Sequence, residues 1–458
     1  MVHRLPRTKN FCCITIIILL MSQVSAWADE GKQILQLDAE FGETGRVLTQ
    51  PVKHGLTADF QSDGKLIVAG MEEYQIGCAS YDQSLIVTRY FADGTLDESF
   101  GEDGTVTTYI GPDALDIRDI KIQPDDKILI AGHQMIEAPS SEFGFEPVFR
   151  VTRYTADGRL DKDFGTEGVV NINFKNSDDC VASILLQPDG KIILAGSTGT
   201  TNVFGDFGLA RLNMDGTLDQ SFGRRGTVTT SFRSREVKAT RAAWDEQGRI
   251  VMSGYTREGE IILARYQANG RLDRTFGRYG KIVNQLPDIR STAYDLKLLP
   301  NGKILVTGKA EEEEMFANQG VTIEGTNFLL ARFNNDGKLD TQFGEQGFVC
   351  KDLGGYDEGF KILTDDHDRI LVAAGANINY SNMMNNTNQY ALLRYDLQGN
   401  PDGGFGDNGV WLRDDTELKM HEIMFVETLS DGQYLLGGST IGAGSTDYVL
   451  ERYMMMFE

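Results

Sequence analysis

Positive charge is in short supply in this chain. Only 44 Lys and Arg stand against 67 Asp and Glu, a formal net charge of −23. Nucleic acid and anionic membrane surfaces repel such a chain, so neither is an expected partner. Histidine and cysteine number five each. Cys12 and Cys13 sit in an N-terminal apolar run, while Cys78, Cys180 and Cys350 are irregularly spaced, which excludes a regular disulfide framework. Ten prolines against 51 glycines exclude a low-complexity linker protein. A hydrophobic share of 41% leaves ample material for a core.

Long hydrophobic runs are also missing, with one exception. Arg4, Arg7 and Lys9 precede "FCCITIIILLM" (Phe11 to Met21), and "SQVSAWADE" follows. A basic leader, eleven apolar residues and an Ala26-Trp27-Ala28 cleavage signature predict a signal peptide over residues 1–28. A membrane-spanning helix needs about 20 apolar residues, so no transmembrane anchor is expected after cleavage. The expected location is secreted, periplasmic or at the cell surface, with residues 29–458 as one domain of net charge −26.

What the chain has in abundance is repetition. A stretch like "RYTADGRLDKDFGTEGVV" (Arg153 to Val170) comes six times. A seventh copy, "LDAEFGETGRVL", begins at Leu37 without its Arg-Tyr, and that pair stands at Arg452-Tyr453. The Phe of the motif falls at Phe41, Phe100, Phe164, Phe222, Phe276, Phe343 and Phe405, a period of 54 to 67 residues. Each repeat carries four short β-branched and aromatic segments separated by turns, exemplified by "VVNINF", "SILLQ", "KIILAG" and "FGLARL". Four-stranded units at such a period predict an all-β chain, a seven-bladed β-propeller of four-stranded antiparallel blades and 28 strands.

Connection lengths set the strand order. The Asp-Gly and Gln-Pro-Asp-Gly-Lys links are too short to leave a sheet, so both are hairpins. The longer, variable link after the Phe-Gly strand crosses from one blade to the next. The segment before Pro-Asp-Gly is therefore innermost and the Phe-Gly strand outermost. The N-terminal copy then pairs with "YVLERY" at the C-terminus and closes the ring. In each repeat an Arg precedes an Asp by eight residues, as in Arg153 and Asp161, and these are expected to form an exposed ion pair across the hairpin.

The consensus Arg-Tyr-x-x-Asp-Gly-x-Leu-Asp-x-x-Phe-Gly-x-x-Gly, followed by Pro-Asp-Gly-Lys-Ile-x-x-Ala-Gly, resembles the bacterial delta-60 repeat family across residues 29–458. Its Phe-Gly half also looks like the NHL propeller repeat, where that segment is the outer strand. The resemblance implies a β-propeller and supplies no catalytic residue. The sixth repeat departs from the pattern, with "TDDHDR" (Thr364 to Arg369) and "NPDGGFG" (Asn400 to Gly406).

Motifs for chemistry are few. Gly404, Gly406 and Gly409 match a dinucleotide fingerprint by spacing, but the repeat leads them into a strand rather than a helix. Ser62-Asp-Gly-Lys65 matches SxxK at a hairpin turn. Asp365, Asp366, His367 and Asp368 crowd one turn, where solvation is favoured over metal binding. No catalytic residue, metal site or cofactor is expected. Two binding regions stand out. The innermost strands align Asp59, Asp119, Asp295 and Glu427 with Lys121, Arg241, Lys297 and Lys361, an axial ring expected to form ion pairs. The long loops of one face carry Glu72, Tyr74, Tyr81, Phe143, Phe145, Glu311, Glu312, Phe316, Tyr380 and Asn382, and loops on a rigid scaffold are where binding resides. The reading is a monomeric, non-enzymatic propeller that binds a protein or glycan through these loops. The alternative is an extracytoplasmic hydrolase or lyase with its site at the mouth of the axial channel.

Overall fold

Among the described residues strands account for the regular structure, 29 of them rather than the 28 expected. The computed structural model describes residues 32–457 except 50–51, 53, 76–80, 112–114, 139–143, 175–178, 202–203, 233–235, 288, 313–324, 366, 379–388, 414–419, 430–431 and 442–445. The expected signal segment 1–28, Cys78 and Asp366 lie outside the described residues.

One repeat shows how the sequence makes its sheet. Cys180–Leu186 is innermost and pairs antiparallel with Ile192–Thr201, which pairs with Phe204–Leu212, which pairs with Thr227–Thr230 at the rim. The first hairpin closes through Gln187 and Lys191 at 2.9 Å, and Gly190 takes φ +79°, a conformation open to glycine at little steric cost. The innermost strands touch one another in cyclic order, and His54–Phe60 meets both Leu115–Ile122 and Met420–Thr428. The chain is a β-propeller with an open axis.

The expectation of seven separate four-stranded blades is corrected by the sheet topology. Five blades are self-contained, four of them four-stranded and one five-stranded, and the remaining sheet is eight-stranded. In the eight-stranded sheet, Gly205 pairs directly with Val237 at the start of the next innermost strand. This single pairing merges two repeats into one sheet. The fifth strand arises because Thr446–Phe457 has no Asp-Gly turn to stop it. It runs on past Arg452, and Gln33–Leu37 pairs with the extension from Tyr453 to Phe457. Arg46–Thr49 pairs with Tyr448 to Glu451 of the same long strand.

Apolar side chains are buried between adjacent sheets. Leu129 and Val151 of one sheet pack with Ile184, Leu194 and Ala210 of the next, around a fully buried Phe164. Each large side chain buried in this way contributes roughly 1.5–3 kcal/mol. At the junction of the first and last described strands, Phe41 and Val47 pack with Tyr448 and Leu450. Leu48, next to Val47 in the same strand, is 53% exposed.

Five of the seven Arg–Asp pairs are buried rather than exposed, and Arg394–Asp402 and Arg452–Asp38 are part-buried. The seven guanidinium Nε atoms donate to their carboxylates at 2.7–2.9 Å, from Arg89–Asp97 round to Arg452–Asp38. Each guanidinium lies 4.2–4.9 Å from the ring centre of its own Phe-Gly phenylalanine. Most then donate through Nη1 to a turn carbonyl of the following repeat, as Arg153 does to Met214 at 2.6 Å. Arg452 reaches Ala92 at 2.6 Å and so links the last repeat to the first. Arg394 is the exception. The following repeat lacks the turn, its Nη1 has no partner, and Nη2 donates to the Gln33 side chain instead.

Candidate functional site: the axial cavity

Every innermost strand is irregular at one or two points, and in His54–Phe60 the skipped residue is Gly55. Pairing with the second strand skips Arg118, Ala182, Thr240, Tyr294, Phe360 and Met424, each the extra residue of a β-bulge. A bulge turns one side chain out of the pleat, and all six line a cavity of about 880 Å³ on the axis. The Ala-Gly of the repeat makes room for these bulges. At Gly132, Gly196, Gly254 and Gly308 an added Cβ would stand 1.8–2.1 Å from the carbonyl oxygen of residue 116, 180, 238 or 292.

The cavity also reaches Glu73 and Gln83, which flank one of the long loops. It therefore reaches the end of the ring where Leu66–Gln75 ends and Tyr81–Tyr90 begins. A smaller cleft of about 150 Å³ lies between the uniform turns, around Asp245 and Asn335.

Charges at the axis are partly paired. Arg241 sits between Asp119 (Nη1–Oδ1 3.7 Å) and Asp295 (Nε–Oδ1 3.4 Å). Burial opposes its charge, but Asp119, Asp295 and Glu427 outweigh that and push its pKa up. Lys121 approaches Asp59 at 3.9 Å. The same carboxylates accept backbone amides of the next innermost strand: Asp59 from Ile122 at 2.9 Å, Asp119 from Ile184 at 2.7 Å and Asp295 from Ile362 at 2.9 Å. Their second role is therefore to tie neighbouring strands together. Lys297, Lys361 and Glu427 join no ion pair among the described residues, so the ring of pairs is incomplete. Burial, followed by the nearby Arg241 charge, lowers the Lys361 pKa. At the cavity wall Cys180 Sγ lies 3.5 Å from His133 Nδ1. Burial raises the thiol pKa and lowers the imidazole pKa, so both groups favour the neutral form.

Of the loop residues, Glu72 and Tyr74 end the strand Leu66–Gln75, with Tyr74 38% exposed. Phe145 begins Phe145–Tyr154 and is 39% exposed, and Glu311 is half-buried near the end of Ile304–Glu312. Tyr81 and Glu312 belong to strands, but their side chains are outside the described structure. Phe143, Phe316, Tyr380 and Asn382 lie outside the described residues. In the crowded turn, Asp365 is committed to Arg369, with Oδ2 2.6 Å from Nε. Gly406 and Gly409 take positive φ in a turn that leads to the strand Val410–Leu412. Among the described residues no three His, Cys, Asp or Glu side chains group to hold a metal ion, no disulfide joins Cys180 and Cys350, and no helix is long and apolar enough to cross a membrane.

Sequence reasoning missed the bulge residues. Their signal is a break in alternation, in which two residues instead of one separate the inward apolar positions. Ile117-Arg-Asp-Ile120 and Ala293-Tyr-Asp-Leu296 both show it.

The family described as a domain of unknown function (DUF5122) beta-propeller matches residues 61–100, 123–164, 187–222 and 322–343. Each matched stretch ends on the Phe that stacks under its arginine. The match supports a β-propeller repeat protein. No curated protein matches the chain in sequence. Among solved structures, the polysaccharide lyase Uly1 aligns over 91% of this chain and 92% of its own at 10% identity and a TM-score of 0.48. A PL25 ulvan lyase aligns over 92% and 96% at 12% identity and a TM-score of 0.47. A glucose dehydrogenase aligns over 89% and 99% at 12% identity and a TM-score of 0.40.

Proposed function

We propose that this protein is an exported, non-enzymatic binding propeller of the delta-60 repeat kind, holding a protein or glycan on the face where the axial cavity opens. One observation carries the reading: the 880 Å³ cavity reaches Glu73 and Gln83, which flank one of the long, dissimilar loops of the sequence. Ligand sites are typically concave, of about 300–1,000 Å³, and built on rigid scaffolds. The basic leader and Ala26-Trp27-Ala28 support export.

The test replaces residues 313–324 and 379–388 with the short turn Thr256 to Gly259 and compares both proteins on a glycan array and in capture from a native extract. The account expects unchanged thermal unfolding and loss of the captured partner. A loop-replaced protein that captures the same partner equally well would remove the loop face as the binding surface.

A further inference from the structure

The acidic side chains of the axial cavity are engaged, and two of its lysines are not. Asp116 pairs with Arg118, Asp295 with Arg241, and Glu358 with Lys309 at 3.0 Å. Glu73 accepts a hydrogen bond from the Gln83 side chain at 3.4 Å. Lys238 and Lys361 line the same cavity, and among the described residues neither ammonium has an ion pair or hydrogen bond. A half-buried ammonium without a partner is costly unless an anion is supplied. Beside Lys361 stands a stacked aromatic pair, Tyr294 and Phe360, with ring centres 6.3 Å apart and planes inclined by 26°. Both rings line the cavity and are only half-buried, so apolar surface lies next to unpaired positive charge.

We propose that the axial cavity binds a carboxylate carried on a ring, with Lys361 receiving the carboxylate and the Tyr294–Phe360 pair receiving the ring. The assignment rests on the loop-face reading only for the route of entry. Lys361 is faced by Asp295 and Glu427 from the two neighbouring innermost strands and by Arg241 and Lys121 from more distant ones. Burial and the two cations disfavour its charged form, and the two acids only partly offset them. An added carboxylate favours the ammonium, so binding raises the Lys361 pKa and takes up a proton wherever the free amine is partly deprotonated. Affinity is therefore fullest below the free-protein pKa and falls as pH rises through and above it.

The chain is titrated calorimetrically with glucuronate and with benzoate at millimolar concentrations, alongside glucose, benzyl alcohol and acetate. These arms separate a sugar acid from an aromatic acid, and each from a bare ring or a bare carboxylate. The expected result is binding of one ring acid, absence of binding by its neutral counterpart, and weaker binding at pH 9.5 than at pH 7. Lys361→Met should weaken binding by about tenfold or more, which corresponds to about 1.4 kcal/mol, and should flatten the pH dependence. Lys238→Met, two innermost strands away from Lys361, should leave both binding and that dependence in place. Thermal unfolding of both variants shows whether the fold is retained, and Lys361→Arg should restore binding without the pH dependence. Absence of binding by both ring acids, or full binding by folded Lys361→Met, overturns the proposal. Either result leaves the loop-face reading standing if loop replacement still abolishes capture. Unchanged capture by the loop-replaced protein would remove that reading while the titration stayed interpretable.

Discussion

Arg153 makes three contacts from one guanidinium: to Asp161 at 2.8 Å, to the Phe164 ring at 4.2 Å, and to the Met214 carbonyl of the next repeat. Burial alone would raise the Asp161 pKa, but the Arg153 and Lys127 charges and the Asp163 amide hold it below the ordinary carboxylate range. At Asp219 the Ser221 hydroxyl acts first and the result is the same direction. A carboxyl depressed in the folded state contributes stability that is full above its unfolded pKa, near 3.9, and lost as pH falls through the lower folded value. The urea midpoint should thus hold between pH 7 and 5 and fall below about pH 4. Asp161→Asn should lower stability at pH 7 by roughly 3–5 kcal/mol, since it strands a buried arginine, and should make the acid decline shallower. An unchanged acid decline would exclude Asp161 as a contributor. The eight-residue spacing of this pair is legible in the sequence. Its burial is not, because the cover comes from a turn some 60 residues further on.

The innermost strand and its neighbour form the element that shapes the site. The sequence displays "KIILAG" as a lysine followed by an apolar run, and apolarity explains every position after Lys191 except the glycine. Only the pairing across the bulge shows that the glycine is needed because a carbonyl occupies the place of its Cβ. Gly132→Ala would put a Cβ 2.0 Å from the Asp116 oxygen. Overpacking of this kind costs about 1–3 kcal/mol, and the backbone shift would displace Arg118 at the cavity wall. Gly403→Ala, which meets nothing within 4 Å, is the control. Chemical denaturation should separate the two, with the control within about 0.5 kcal/mol of the parent. Equal stability of the two variants would mean the bulge does not require the glycine. The axial charges were likewise legible one strand at a time. Which of them pair was not, since Asp119, Arg241 and Asp295 come from three different repeats.

For the whole molecule, the split repeat is the decisive feature. Asp38 and Arg452 are 414 residues apart in sequence and 2.7 Å apart in space. Gln33–Leu37 and Arg46–Thr49 both pair with Thr446–Phe457, and Gln33 takes the place of the missing turn by accepting the Gly406 amide at 2.8 Å. Division of a repeat between the two termini was readable from the missing Arg-Tyr. The merging of two repeats into an eight-stranded sheet was not, because it rests on a single pairing, Gly205 with Val237, between residues 32 apart in sequence. A closed ring holds the cavity walls at fixed spacing, so the account requires that closure be as stable as the blades themselves. Native-state hydrogen exchange of the intact chain tests this most directly. Leu450 and Arg452 should exchange with the same opening free energy as Leu194 and Ala195 in the strand Ile192–Thr201. Exchange at Leu450 and Arg452 that is orders of magnitude faster, with Leu194 and Ala195 still protected, would show a ring that opens on its own and would contradict the account.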